Sequence, residues 1–414
     1  MSAFSLVSGE LHVERVSLAT IAERFGTPCY VYSRAVLEAS YDAFDAAFAG
    51  VPHLVCYAMK ANSNLAILNL LARRGAGFDI VSAGELERVV AAGGDPAKTV
   101  FSGVGKSASE METALAGGIR CFNVESAGEL ALLNAVAGRV GRRAPISIRV
   151  NPDVDPKTHP YIATGLKESK FGVAYSEAPA LYRHAAGLAH IDVQGIDCHI
   201  GSQITDLAVY VETARKMFEL VDTIESEGAA LRHIDLGGGL GIRYSDEVTI
   251  NPAAYALAVR DLLGQRPHEL LFEPGRFLVG EAGLLLTRVL YLKPGETRDF
   301  AIVDAGMNDL LRPALYAAWH SVEAVRPRAG EARRWQIVGP VCESGDFLAH
   351  DRDLVIAPGD LLAVRAAGAY GFVMSSNYNS RPRACEVVVD GDRVHLARPR
   401  ERIADLFAHE SALP

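Results

Sequence analysis

Between residues 53 and 275 the chain switches repeatedly between two hydrophobic periods. Short β-branched or apolar runs occur at 53–59 (HLVCYAM), 77–82 (GFDIVS), 99–103 (TVFSG), 120–126 (RCFNVES), 146–152 (ISIRVNP), 191–200 (IDVQGIDCHI), 233–239 (HIDLGGG) and 270–275 (LLFEPG). Between them lie Ala/Leu/Glu-rich stretches with helical spacing, such as NLAILNLLARRG and AGELERVVAAGG, several closing on glycine. Strands that alternate with helices form βαβ units and a parallel sheet. About eight units in about 240 residues fit a closed (β/α)8 barrel better than an open sheet. The early units repeat at a near-constant interval, and the later ones carry longer insertions, notably around 153–190.

After about residue 280 the runs LLLTRVLYLKP, DFAIVDAG, RWQIVGPV and ACEVVVDGDRVHLARPR lack long intervening helices and are punctuated by turn signals such as DGD. The expected organisation is an α/β chain with a (β/α)8 barrel over 29–280. A β-rich domain is made of 1–28 with 281–414. A length of 414 residues suits one large domain plus a smaller one.

Composition excludes several classes. There are 41 basic against 50 acidic residues, a net charge of −9, and no basic run, so no nucleic-acid partner is expected. No run of about 18 apolar residues appears, so no membrane span is expected. The opening MSAFSLVSGELHVERVSLAT lacks a cationic, apolar leader, and six cysteines without paired spacing fit a reducing cytoplasm. Cys56, Cys121 and Cys198 fall in apolar runs, where they read as small buried hydrophobes.

Chemistry in such a barrel gathers at the C-terminal ends of its strands. Lys60 follows the first run, Asp79 lies in the second and Arg149 is near the end of the fifth. His199 and Ser202 follow the sixth, Gly237, Gly238 and Gly239 the seventh, and Glu273, Gly275 and Arg276 the eighth. The loop DLGGGLGIRY is not a dinucleotide fingerprint, because Ile242 replaces the last glycine of G-x-G-x-x-G. FSGVGKS is not a P-loop, because Val100 stands where its first glycine belongs. Three successive glycines still let backbone N–H groups approach an anion. Arg276 adds a cation where barrels of this type bind phosphate.

Taken singly, each residue has an ordinary reading: a tight turn, a core imidazole, a surface amine. Together they point to pyridoxal 5′-phosphate, held on Lys60 as a Schiff base, with Glu273 at the pyridine nitrogen and His199 against the ring face. Asp79 and Arg149 complete the cofactor-binding set. No metal is expected.

The segments YAMKAN, HIGSQI, DLGGGLGI, EPGRFLVG, CESGDFLA and GAYGFVMSSNYNSRPR resemble diaminopimelate decarboxylases, within the alanine racemase/ornithine decarboxylase fold group. The resemblance runs from about residue 29 to 389, and MNDLLRPALY with CESGDFLA is its narrower mark. It implies decarboxylation of meso-2,6-diaminopimelate to L-lysine and carbon dioxide, the last step of lysine biosynthesis. It also implies a cytoplasmic homodimer with shared active sites, one subunit's C-terminal domain completing its partner's site.

By resemblance, Lys60 is the Schiff-base lysine and His199 the imidazole on the cofactor. Ser202, Gly237, Gly238, Gly239, Gly275 and Arg276 are phosphate-side positions, Arg276 also reaching substrate, and Glu273 is the pyridinium partner. Cys342 is the acid that returns a proton to Cα. Arg312, Tyr316 and Glu343 grip the far end of the substrate, and Tyr370 lies near phosphate and substrate. One departure is Phe277 after EPGR, where relatives more often carry a small residue such as Ser.

Telling diaminopimelate from lysine requires recognising a distal carboxylate. Arg312, otherwise a surface arginine in LLRPALY, offers a planar fork for one, and Tyr316 four residues on could share its helical face. Glu343 could pair the distal ammonium. The nearest rival is a pyridoxal-phosphate decarboxylase of ornithine, arginine or carboxynorspermidine type. A racemase would need a second acid/base, which is not identified. A non-catalytic cofactor carrier would have no use for both Lys60 and Cys342.

Overall fold

The computed structural model describes residues 3–156 and 170–414. It divides into two compact units. One is Ser40–Ile242 with Val248–Phe277; the other is Met1–Ala39, Arg243–Glu247 and Leu278–Pro414.

The first unit contains strands β1 (His53–Ala58), β2 (Gly77–Ile80), β3 (Thr99–Phe101), β4 (Cys121–Val124), β5 (Ala144–Asn151), β6 (Ile191–Asp197), β7 (His233–Asp235) and β8 (Glu269–Phe272). Each pairs in parallel with the next. β8 pairs with β1 through Leu270↔His53, and β4 with β5 through Phe122↔Ile146, so the sheet is a closed eight-stranded barrel. Its strands are buried almost throughout, as parallel strands covered by helices must be. Cys56, Val100, Cys121 and Leu271, from four different strands, meet in one apolar cluster. Of the insertion expected around 153–190, residues 157–169 lie outside the described residues. The remainder supplies the short strand Val173–Ala174 beside β5 and the helix Ala178–Ala186.

The helices start where the sequence says they should. The pentapeptide Ser-Ala-Gly-Glu-Leu occurs at 82–86 and again at 126–130, and each copy opens a helix. Ser82 and Ser126 adopt extended backbone and accept the N–H of Glu85 and Glu129, satisfying a donor that the first helical turn leaves orphaned. The same glutamates reach back to the N–H groups of Val81 and Glu125. Ser107 and Glu110 form a reciprocal capping box at the next helix.

The second unit is sheet-rich. Its main sheet runs in the order Phe347–Leu354, Arg333–Val338, Asp299–Val303, Gly283–Lys293, Cys29–Ser33, Cys385–Asp390, Arg393–Arg398. Leu361–Val364 also pairs with Gly283–Lys293 and carries Val322–Ala324. A three-stranded N-terminal sheet adds Phe4, Leu11 and Val13 to the same core as Leu284 and Val387. The structure corrects the expected barrel start at residue 29. Cys29–Ser33 pairs antiparallel with Gly283–Leu286 and parallel with Cys385–Val389, so residues up to Ala39 belong to the sheet-rich unit. Arg243–Glu247, expected in the barrel, also groups with it.

One barrel position has no room for any side chain. Gly195 faces His233 across the β6–β7 ladder, and an added Cβ would lie 2.6 Å from the His233 carbonyl oxygen and 2.4 Å from its ring. That ring is held by Ser147 at 2.8 Å and is buried, so it cannot yield. Gly195→Ala is therefore expected to destabilise by about 1–3 kcal/mol, read as a lower urea midpoint. Gly128→Ala, in a helix with no neighbour nearer than 3.9 Å, is expected to be neutral or slightly stabilising. Equal midpoints for the two variants would refute the packing argument.

Candidate active site

In the barrel unit the predicted residues sit near the C-terminal ends of the strands or just past them. Lys60 occupies a single 3-10 turn, Met59–Ala61, directly after β1. Its Nζ lies 2.6 Å from Oδ2 of Asp79 on β2, whose side chain is fully buried while that of Lys60 is 33% exposed. A buried carboxylate thus fixes the amine at the strand end.

Glu273 follows β8 and is 3% exposed. Its Oε1 accepts from Asn123 Nδ2 at 3.2 Å, with Ser102 Oγ at 3.4 Å. Burial pushes its carboxyl well above the usual range, and nearby Asp79, Asp235 and Asp197 push further in the same direction. Asp197 ends β6 and Asp235 ends β7. Each brings an oxygen within 4.8 Å of the other and of Glu273. Burial raises Asp197 strongly and lifts Asp235 to about 7. Among the described residues both oxygens of Asp197, Oδ2 of Asp235 and Oδ1 of Asp79 are buried with no hydrogen-bond partner. Arg149 answers part of this charge. Its guanidinium is 3.3 Å from Glu125 and 3.9 Å from Asp197, and donates to the His199 carbonyl at 3.4 Å.

His199 has a defined tautomer. The Gly238 N–H donates to its Nδ1 at 3.1 Å, so the neutral ring carries its proton on Nε2. Burial, followed by the charges of Arg149 and Lys60, holds its pKa well below the ordinary imidazole value. The ring is neutral.

The glycine loop after β7 is more committed than the sequence implies. The Gly237 N–H donates to Asp235 Oδ1 at 2.8 Å, and the Gly238 N–H is taken by His199. Two of the three amides expected to meet an anion thus have partners inside the protein. Among the described residues the Gly239 amide has none. The glycines are nonetheless required. An added Cβ at 237 would lie 2.3 Å from the Cys198 carbonyl oxygen, at 238 1.9 Å from that of Glu273, and at 239 2.2 Å from that of Gly201. Gly237 and Gly239 also adopt φ of 68° and 97°. Arg276, 5% exposed, donates to Ser202 Oγ at 3.1 Å. At Gly275 an added Cβ would meet Ala58 and Ala61, on either side of Lys60, at 3.2 Å. Phe277, the departure after EPGR, packs its ring 5.9 Å from Phe44.

The remaining predicted residues lie on the sheet-rich unit. Arg312 opens the short helix Arg312–Tyr316, which ends where Ala317 turns left-handed at φ 50°. Arg312 is 6% exposed, so it is not the surface arginine its local sequence suggests. Its guanidinium lies 4.6 Å from the Tyr244 ring centre, and Nη1 is 2.8 Å from His320 Nε2. Tyr316 is half-buried one turn on. Cys342 and Glu343 are exposed, and the Cys342 N–H donates to Asn379 Oδ1 at 2.8 Å. Asn379 is itself left-handed, at φ 56°, as is half-buried Tyr370, at φ 55°. Both are uncommon for residues with a Cβ.

Sequence reasoning passed over Ser102, Asn123, Asp197, Asp235, Asp346 and Asn379. The first four lie at or just past strand ends, and the rule that found Lys60 would have found them. Asp346 ties two loops together: its carboxylate accepts from Met307 N–H at 2.6 Å and Val341 N–H at 2.7 Å. These loops lead to Arg312 and Cys342.

The barrel residues fit pyridoxal phosphate. The cluster of buried carboxylates, several of whose oxygens lack partners, is suited to a cationic ring nitrogen. The loop admits no side chain, and the amine stands at the rim. Residues 34–280 match the pyridoxal binding domain of pyridoxal-dependent decarboxylases. The chain is 61% identical to the diaminopimelate decarboxylase of Pseudomonas aeruginosa over all of both chains. The crystal structure of diaminopimelate decarboxylase from M. jannaschii superposes with a TM-score of 0.95 at 37% identity, covering 100% of this chain and 98% of that one. The Helicobacter pylori diaminopimelate decarboxylase complexed with L-lysine does so at 0.92 and 43%, over 95% and 98% of the two chains. A likeness that spans the whole chain and includes the pyridoxal binding domain places it in one family: the chain belongs to the diaminopimelate decarboxylases, which are pyridoxal-dependent decarboxylases.

Proposed function

We propose that this chain removes carbon dioxide from the D-centre of meso-2,6-diaminopimelate and leaves L-lysine, the closing step of lysine biosynthesis. The observation that carries this is the 61% identity, end to end, with a diaminopimelate decarboxylase. Pyridoxal phosphate, when bound, supplies the sink for the electron pair left on Cα as the C–C bond breaks.

The chain's own groups divide the remaining work. Lys60 holds the cofactor, its Nζ oriented by Asp79. Glu273, steered by Asn123 and Ser102, would meet the ring nitrogen of the bound cofactor, and its raised pKa would let it hold or share a proton there. His199 offers a neutral ring whose orientation Gly238 fixes. Ser202, Gly237, Gly238, Gly239, Gly275 and Arg276 form the phosphate side. Arg149 supplies countercharge, and Arg276 also reaches substrate. The Cys342 thiol delivers the proton that replaces the lost carboxylate on Cα. Arg312 pairs the distal carboxylate and Glu343 the distal ammonium, with Tyr316 and Tyr370 beside them. A simple diamino acid such as ornithine would leave Arg312 without an anion, at a high cost in binding.

The working form is a homodimer in which the sheet-rich unit of one chain completes the site of its partner. The exposure of Cys342 and Glu343 supports this, because a proton donor for carbanion chemistry must be shielded from water. All six cysteines are free thiols, in keeping with a cytoplasmic setting. Among the described residues no helix is long and apolar enough to cross a membrane.

Two outcomes follow. Lys60→Ala and Cys342→Ala chains, each inactive alone, are expected to regain about one quarter of wild-type activity when reassorted at equal amounts, because half the dimers are hybrids with one intact site. A mixture that stays inactive would rule out shared sites. Arg312→Lys is expected to weaken inhibition by L-lysine, which keeps the distal carboxylate, about 10- to 100-fold, while inhibition by cadaverine, which lacks it, stays within about twofold. Equal losses for both ligands would remove Arg312 from carboxylate recognition.

A further inference from the structure

The grip on the distal carboxylate depends on the direction in which the Arg312 fork points, and the structure shows what sets it. His320 is 0% exposed. Its Nδ1 is 2.8 Å from the Arg365 carbonyl oxygen, which can only accept, so the ring proton is on Nδ1. Nε2 then presents a lone pair, and the Arg312 Nη1–H donates to it at 2.8 Å. Both contacts require the neutral ring, because a proton on Nε2 would set two donors and two cations against each other.

Tyr244 adds a second constraint. Its ring lies 4.6 Å from the guanidinium carbon and meets the His320 ring edge-on, with centres 5.3 Å apart at 83°. Arg312 is thus held at one nitrogen by His320 and against one side by an aromatic ring. The His320 backbone is anchored as well, its carbonyl accepting from Arg352 Nη2 at 2.6 Å. All of these groups belong to the sheet-rich unit.

We propose that His320 is a positioning residue for substrate specificity: its neutral imidazole, keyed by the Arg365 carbonyl, orients the Arg312 guanidinium toward the distal carboxylate. The inference rests on the proposed pairing of Arg312 with that carboxylate. A core histidine kept only for packing would tolerate loss of either ring nitrogen equally. A positioning histidine is sensitive to which nitrogen is lost.

Two replacements separate the nitrogens. The amide of His320→Asn can still donate to the Arg365 carbonyl, but it is too short to reach Arg312. The oxygen of His320→Gln can take the place of Nε2 and accept from Arg312. With the cofactor-loaded dimer, His320→Asn is expected to raise KM for meso-diaminopimelate at least tenfold while kcat falls by less. It should weaken L-lysine inhibition by a similar factor and leave cadaverine inhibition within about twofold. His320→Gln is expected to recover most of the lysine-over-cadaverine preference, even where its melting temperature falls as far as that of His320→Asn. Preference that tracks melting temperature in both variants would overturn the proposal. If His320→Asn does not fold, a His320→Gln protein with no lysine preference overturns it alone. Arg312→Lys is run alongside. A normal preference in Arg312→Lys would defeat the underlying reading, whereas a lost preference there with a normal one in His320→Asn defeats only the role of His320.

Discussion

Four carboxylates withdrawn from water at one end of a barrel are the costliest feature of this chain, and much of the site is arranged around them. Asp79, Asp197, Asp235 and Glu273 are each no more than 3% exposed. Burial raises the carboxyls of Asp197, Asp235 and Glu273, and the charge of Asp79 beside them pushes each further. Lys60 and Arg149 answer part of that charge, the first by a direct contact with Asp79 and the second from between Glu125 and Asp197. The remainder is a polarised cavity floor that favours a cationic ring. A chain selected only for stability would fill these positions with apolar residues. The apolar cluster of Cys56, Val100, Cys121 and Leu271 shows that the barrel can do so elsewhere. This cluster of departures from local rules therefore lies where the chemistry is.

The same economy explains the glycine loop. Its three residues are pressed against the carbonyls of Cys198, Glu273 and Gly201, so the turn after β7 is locked to the ends of β6 and β8. Two of its amides are used to hold Asp235 and to select the His199 tautomer. The loop is thus a device for orienting its neighbours. On the sheet-rich unit Asp346 plays a comparable part. By accepting from Met307 and Val341 it joins the loop that leads to Arg312 with the one that carries Cys342. The loops that lead to Arg312 and Cys342 are thus held in one frame.

The barrel was legible because its signal is repeated: each unit alternates a buried run with a capped helix, and the Ser-Ala-Gly-Glu-Leu start even recurs in sequence. Strand-end chemistry was legible for the same reason, since topology fixes where it must lie. Cys29–Ser33 was not. A continuous apolar run looks the same in a barrel as in the middle of another sheet, and what decides its place is pairing with Gly283–Leu286 and Cys385–Val389, far away in sequence. The burial of Arg312 was hidden likewise. Arginine is a surface residue by habit, and Tyr244 and His320, which it contacts, come from segments that the sequence gives no reason to join. The glycine amides were misjudged in the opposite direction, because a motif shows which donors exist but not which are already taken.

In the proposed reaction, substrate choice and bond cleavage fall to different units of this chain. The barrel unit holds Lys60, Glu273, His199 and the glycine loop, none of which is assigned to the far end of the substrate. Arg312, His320, Tyr244, Cys342 and Glu343 all belong to the sheet-rich unit. Recognition of a carboxylate by a guanidinium is strongly directional, since two parallel N–H···O bonds form only when both planar groups align. Direction in turn needs rigidity, and a fork on a five-residue helix has little of its own. Stacking on Tyr244 and the hydrogen bond to His320 supply it from the tertiary structure. A pocket assembled this way can be retuned to another distal group by changing a few contacts on one unit, while the carboxylate floor that sustains the chemistry stays as it is.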